Sequence, residues 1–277
     1  MPSSRFERIV VAADERNPEC AEAAKKVLLR LEGCGLPSLE LSQAGHLKKG
    51  DLLVVLGGDG FLMHTLRDLG HPTVAVLGLN FGQVGFLMND SRHVDDLESI
   101  VCERRFQITE VPIIEAVTEG ENGEEVVSAI NDFVLERSGG QTTRLDLYIE
   151  GVLLNRYSGD GLIVATAAGS TAYTLAAGGP VVHPNVAALV VTPVNAHRPV
   201  QFHSLQFPLV LPLTCRIDIE VVDQASRPTR LVADGTEVGR PNRVKIRFSQ
   251  RRMHLIRTEE FNYVGSLVDK VIGRNWS

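Results

Sequence analysis

The sequence predicts an α/β protein: an N-terminal open sheet flanked by helices, then a mostly β domain, then a last helix that returns to the first domain. Three observations lead there. Buried-type apolar runs alternate with helical spacing up to about residue 104, short β-rich runs succeed one another from about 105, and helical spacing reappears near the C-terminus.

Taken in order, "RIVVAA" at 8–13 reads as a buried strand, and Ala21, Ala24, Val27, Leu28 and Leu31 fall at helical spacing behind it. "DLLVVL" at 51–56 is apolar on both faces, as in a central parallel strand, and Phe61, Leu62, Leu66 and Leu69 mark one side of the helix that follows. "TVAVLGL" at 73–79 supplies a third strand. From residue 105 the runs "ITEVPIIEAVT", "SAINDFVLER", "LDLYIEGVLL", "CRIDIEVVD", "TRLVADG" and "RVKIRFS" read as strands separated by turn residues. "NYVGSLVDKVIG" at 262–273 returns to helical spacing through Val264, Leu267, Val268 and Val271. The expected division is 1–104 with 257–277 as the α/β domain and 105–256 as the β-rich domain.

A chain of 277 residues can bury a sizeable core, and 44% apolar with 22% charged residues is an ordinary globular composition. A formal net charge of −6 argues against general attraction to nucleic acid. The basic stretch "RRMHLIR" at 251–257 reads as a strand with Met253, Leu255 and Ile256 inward and a solvated basic face. Cys20, Cys34, Cys102 and Cys215 lack CxxC or Cys/His spacing and read as structural or incidental thiols of a reducing compartment. The N-terminus shows no signal-type apolar core, and no run reaches the roughly 18–20 apolar residues of a membrane helix, so a cytoplasmic protein without a membrane or nucleic-acid partner is expected.

"VVLGGDGFLMHTL" at 54–66 runs from strand to glycines to helix. Gly57, Gly58 and Gly60 suggest backbone angles closed to other residues and a close approach of phosphate to amide hydrogens at a helix start. Asp59 repels phosphate, so within such a loop it suggests a magnesium-linked role or a base acting on a hydroxyl nucleophile; the plainer alternative is a tight turn with Asp59 as N-cap. "SGDGLIVATAAGSTAYTLAAGGP" at 158–180 sets small residues around Thr166, Ser170, Thr171, Thr174 and Tyr173, which suits a polar ligand with a flat heterocycle better than a core or a linker. His183 and His197 lack metal spacing, Ser170 lacks the GxSxG pattern, Asp95 and Asp96 read as the solvated front of a helix, and Trp276 as a surface-packing residue.

These motifs resemble those of the NAD kinases: GGDG, "GQVGFLMND", the Asn-acidic pair in "AINDFVLER", "GDGLIVATAAGSTAYTLAAGGP" and the late Asp-Gly of "VADGTEV", in family order across roughly residues 50–240. The long glycine-rich segment is the specific part, since GGDG is shared with lipid kinases and phosphofructokinase-like enzymes. The resemblance implies an α/β nucleotide-binding domain joined to a β-sandwich domain. It implies transfer of the terminal phosphoryl group of ATP, or of polyphosphate in some members, to the 2′-hydroxyl of the adenosine ribose of NAD, with Mg²⁺ and in a homodimer or homotetramer. Carried over by motif, Asp59 is the base or hydroxyl orienter, and Gly57, Gly58 and Gly60 receive phosphates. Phe86 lines the NAD cleft, Asn131 and Asp132 bind ribose or adenine groups, and Asp160, Thr171, Ala172, Tyr173 and Thr174 contact the dinucleotide. Asp234 lies near the reactive site or a neighbouring subunit. The chain departs from the common pattern at Phe61, Ala167, Ala168, Ala176 and Asp132, and "TPVNAHRPVQF" at 192–202 resembles one branch of the family. The departures bear on adenine and ribose contacts and on NAD against NADH. They also keep a non-catalytic dinucleotide sensor in view beside the less favoured lipid kinase.

Overall fold

Strands apolar on both faces need cover on both faces, and the first unit of the chain supplies it. The computed structural model describes residues 6–32, 35–83, 85–120, 123–197 and 203–273; Cys34 and Trp276 lie outside them. The chain divides into two compact units, Met1–Glu110 with Arg252–Ser277, and Val111–Arg251.

In the first unit, β1 (Arg8–Ala13), α1 (Pro18–Glu32), β2 (Ser38–Glu40), α2 (Leu41–Ala44), β3 (Asp51–Gly57), α3 (Asp59–Asp68), β4 (Ala75–Asn80), β5 (Asn89–Asp90) and α4 (Leu97–Cys102) follow one another. The strands run parallel in the order β5-β4-β3-β1-β2. All seven residues of β3 are buried, as a central strand requires. Helix α1 buries Cys20, Ala23, Ala24, Val27 and Leu31, so Ala23 rather than Ala21 completes the inward stripe. The short β5 is held by Asn89, whose Nδ2 donates to the carbonyls of Gly78 at 3.0 Å and Ile256 at 2.9 Å.

The second unit holds β6 (Phe106–Gly120), whose first residues belong to the first unit, then β7 (Gly123–Ala129), β8 (Asp132–Arg137), β9 (Thr143–Ile149), β10 (Val152–Gly159) and β11 (Gly161–Thr166). After them come α5 (Tyr173–Ala176), β12 (Ala188–Val194), β13 (Leu209–Pro212), β14 (Ile217–Val221), β15 (Thr229–Ala233), β16 (Thr236–Gly239) and β17 (Arg243–Thr258). One antiparallel sheet has the order β13-β12-β11-β8-β15-β16, and β10, β9, β14 and the start of β17 form the other. Their inner faces share one core that includes Phe133, Leu147, Tyr157, Leu162, Val164 and Ile219. Strict alternation of buried and half-buried residues in β14 and β15 is the pattern of strands packed on one side. Two hairpins turn on residue pairs with both φ positive, Glu150-Gly151 at 51° and 79° and Asp234-Gly235 at 46° and 79°, matching the twist of the strands they join.

Beyond β17 the first unit regains α6 (Tyr263–Leu267) and a π-helical turn, Val268–Ile272. The stripe expected there is not buried: Val264, Val271 and Ile272 are exposed and α6 buries no residue. Cys20 and Cys215 are free thiols, whereas Cys102 is disulfide-bonded, which corrects the expectation for that residue. Among the described residues no helix is long and apolar enough to cross a membrane.

Leu56, fully buried in β3, and Leu29, 70% exposed on α1, make a paired test of this packing. Leu56→Ala should cost about 2–5 kcal/mol of unfolding free energy and Leu29→Ala less than about 0.5 kcal/mol, read from denaturant midpoints at a common slope.

Candidate functional site

The glycine loop closes the carboxyl end of β3. Gly58 is the N-cap of α3, in extended backbone at φ −101°, and Asp59 is the first helical residue, so the N-cap role considered for Asp59 falls to its neighbour. None of Gly57, Gly58 and Gly60 has positive φ, so unusual backbone angles are not what requires glycine in this loop. A Cβ on Gly57 would stand 2.7 Å from Phe61 Cδ1, so that glycine makes room for the Phe61 ring. Gly58 has only Gly82 Cα near such a Cβ, at 3.6 Å, and Gly60 has open space there. Their bare backbone is the part of the loop that a phosphate could approach.

The Asp59 carboxylate turns away from its own helix start. It accepts hydrogen bonds from the backbone N–H groups of Phe86 at 2.8 Å and Leu87 at 3.3 Å. Burial pushes its pKa up, against those two bonds and the positive charges of Lys270 and Arg257. A carboxylate raised in this way is a stronger proton acceptor than an exposed aspartate. Phe86 itself is only 8% exposed, with Lys270 Nζ 5.4 Å from its ring centre.

Arg257 corrects the expected solvated face of "RRMHLIR": Met253, Leu255 and Ile256 are buried as expected, but Arg257 is buried with them. Its Nη2 donates to the Phe86 carbonyl at 3.3 Å and its guanidinium stacks 3.9 Å from the Phe261 ring centre, while Nε and Nη1 have no hydrogen-bond partner. Burial holds its pKa down at about 10, with Asp59 opposing that fall. The period-two register of Met253, Leu255 and Arg257 carried the signal for this inward position. Lys270, in the π-helical turn, was also missed; its Nζ donates to the Gly85 carbonyl at 2.5 Å. A cavity of about 1080 Å³ in this unit opens at the amino ends of the strands beside Lys48, Asp51 and His254 and includes none of the glycine loop.

In the second unit, Asn131, Asp132, Ala172, Tyr173 and Asp234 line one cavity of about 410 Å³. Asp234, at the hairpin turn, accepts from the N–H groups of Ile130 at 2.8 Å, Asn131 at 2.7 Å and Asp132 at 3.1 Å. The Asp132 carboxyl is buried and its pKa is pushed up to about 7, first by burial and then by the Asp234 charge. Glu136 and Glu237 line the same cavity, and Arg230, the one cation lining it among the described residues, is bonded to both. So acidic a wall suits hydroxyl and amino donors, and the 42%-exposed Tyr173 ring adds a face for stacking.

The remaining residues of the glycine-rich segment stand elsewhere. Asp160 is paired with Arg137 at 2.7 Å and accepts from Asn195 Nδ2 at 2.9 Å. Thr171 Oγ1 donates to the Ala168 carbonyl at 3.3 Å, and Thr174 is buried with its Oγ1 unpartnered. Thr166 and Ser170 are fully buried and bond backbone groups, Thr166 to the Ile130 carbonyl at 2.7 Å and Ser170 to that of Ala167 at 2.7 Å. With Leu162 to Ala165 fully buried as well, much of this segment is core after all. A Cβ on Gly169 would collide with the Asn131 carbonyl, so this glycine lets the segment pack against the Asn131 corner.

Comparison with known proteins agrees with these motifs. Residues 130–258 match the family model for the ATP-NAD kinase C-terminal domain. The NAD kinase of Caldicellulosiruptor bescii is 34% identical over 230 residues, covering 81% of this chain and 83% of that protein. Yeast NADH kinase complexed with NADH shares the fold at TM-score 0.85 with 22% identity, covering 99% of this chain and 90% of that one. An NAD kinase from Archaeoglobus fulgidus in complex with ATP does so at TM-score 0.71 with 23% identity, covering 94% and 99%.

The perturbed Asp132 gives a stability test with a defined sign. Its folded pKa lies above its unfolded value, so its contribution is favourable at low pH and is lost as pH rises from about 4 through about 7. Asp132→Asn should therefore raise the melting temperature of the unliganded protein more at pH 8 than at pH 5, checked by thermal scans at both.

Proposed function

Since the chain belongs to the NAD kinase family, we propose that it transfers the terminal phosphoryl group of ATP to the 2′-hydroxyl of the adenosine ribose of NAD, giving NADP and ADP. The observation that carries the chemistry is the Asp59 carboxylate, held by two backbone N–H groups beside a loop whose Gly58 and Gly60 leave their backbone open. A ribose hydroxyl is a weak nucleophile. Asp59 orients it and takes its proton as the new phosphorus–oxygen bond forms and the bond to the ADP oxygen breaks, a role worth on the order of 10² to 10⁴ in rate.

Gly58 and Gly60 take the phosphates, Gly57, buried at the end of β3, makes room for Phe61 instead, and Phe86 flanks the dinucleotide. Asn131, Asp132, Ala172 and Tyr173 hold its sugar and base groups, with Asp160, Thr171, Thr174 and Asp234 bounding the binding segment. The acidic wall of the second-unit cavity supports this division, since it accepts hydrogen bonds from hydroxyls and amines and rejects phosphate. Among the described residues no group of three or more His, Cys, Asp and Glu side chains is arranged to hold a metal. Mg²⁺ bound to the nucleotide would offset phosphate charge during the transfer. The chain works in a cytoplasmic homodimer or homotetramer. Exposed Val152, Leu153 and Leu154 on the edge strand β10, and Val210 on the edge strand β13, support such an assembly.

A coupled assay for NADP, run with ATP and then with polyphosphate, tests the activity. NADP formation with either donor is the expected outcome, and dinucleotide binding without product would replace the enzyme by a sensor. Asp59→Asn should lower turnover by about 10² or more while NAD affinity stays within about threefold. Full turnover in that variant would remove Asp59 from its role.

A further inference from the structure

The two hydrogen bonds that hold Asp59 come from adjacent peptide groups, and each of those peptides is gripped from behind by a cation. The Gly85–Phe86 peptide accepts Lys270 Nζ on its carbonyl at 2.5 Å and donates its N–H to Asp59 Oδ2 at 2.8 Å. The Phe86–Leu87 peptide accepts Arg257 Nη2 on its carbonyl at 3.3 Å and donates its N–H to Asp59 Oδ1 at 3.3 Å. A peptide whose carbonyl is bonded to a cation is polarised, and its N–H becomes a stronger donor.

We propose that Lys270 and Arg257 are positioning residues that act on Asp59 through these two peptides, fixing the direction of its carboxylate and stabilising its ionised form. The inference rests on the assignment of Asp59 as the base. It also gives the C-terminal turn a task. That turn buries none of its residues, and Lys270 ties it to the Gly85 carbonyl.

The electrostatics agree in sign. The charged groups facing Asp59 are Lys270 from the C-terminal turn and Arg257 from β17, both favouring its ionised form against burial. Lys270 is faced in turn by Asp59, Arg257, Asp269 and Asp90. Arg257 keeps Nε and Nη1 unpartnered although buried, and the attraction of the nearby Asp59 carboxylate works against that desolvation cost. Removing either cation takes an attraction away from the ionised carboxylate, so its protonation midpoint moves to higher pH.

The test uses the full chain with NAD and Mg-ATP, comparing Lys270→Met, Lys270→Arg, Arg257→Met and Asp59→Asn. Lys270→Met is expected to lower kcat on the order of tenfold, part of the range general-base help covers, with KM for NAD nearly unchanged. Its acid limb of the pH–rate profile should move upward, and Lys270→Arg should restore much of both. Arg257→Met should move the limb the same way. Should burial of Arg257 make that variant fold poorly, the half-buried Lys270 carries the test alone. A carbon-13 titration of the Asp59 carboxyl, identified by its loss in Asp59→Asn, should show the same upward movement without any turnover. If Asp59→Asn is silent while Lys270→Met keeps the wild-type limb and carboxyl midpoint, this inference falls and the base assignment stands. If Asp59→Asn turns over normally, both fall.

Discussion

The geometry of the first unit depends on one carboxylate that has left water. Asp59 begins a helix, yet its side chain bonds the backbone of Phe86 and Leu87, far along the chain, instead of its own helix end. An ionised group so enclosed persists only where donors and opposite charges replace its lost hydration. The segment 85–87, the end of β17 and the C-terminal turn bring those donors and charges together, so three stretches distant in sequence are tied to one functional group. The tie also explains why the chain returns to its first unit without an apolar stripe: a buried arginine and a lysine bonded to a carbonyl hold the return.

The parallel sheet was legible because its strands are apolar on both faces, and the sandwich because its strands alternate; both are local patterns that burial writes directly into sequence. Reasons at single positions were harder to read. Gly57 reads as part of a loop but ends strand β3, and what demands it there is the Phe61 ring, a neighbour no spacing rule names. Thr166 and Ser170 look like ligand hydroxyls in a line of text, whereas in three dimensions they satisfy buried carbonyls of the Asn131 corner and the strand end. The charge of Arg257 argues for solvent, but its alternation with Met253 and Leu255 points inward, and burial follows the alternation. In the C-terminal segment the reverse holds: helical spacing predicts a stripe through Val264, Leu267, Val268 and Val271, whereas Lys270 makes the contact. Pattern reports average burial well; it does not report which polar atom answers which.

The second unit solves a related problem with the opposite charge balance. Its cavity gathers carboxylates rather than cations, and burial, with the Asp234 charge added to it, pushes the Asp132 carboxyl up to about 7. The two units thus present different chemistry, a carboxylate clamped by donors in one and a wall of acceptors in the other.

The tip of a β-hairpin is usually the part of a fold most open to change, because its backbone bonds only to itself and to solvent. The Asp234-Gly235 tip does not share that freedom. Its carboxylate closes over three successive amides of another strand's approach, at Ile130, Asn131 and Asp132, and so joins the turn to the wall of the cavity. Lineages that lengthen or graft loops onto this scaffold must therefore leave this hairpin alone, because a longer connection at its tip would withdraw one carboxylate from three amides at once.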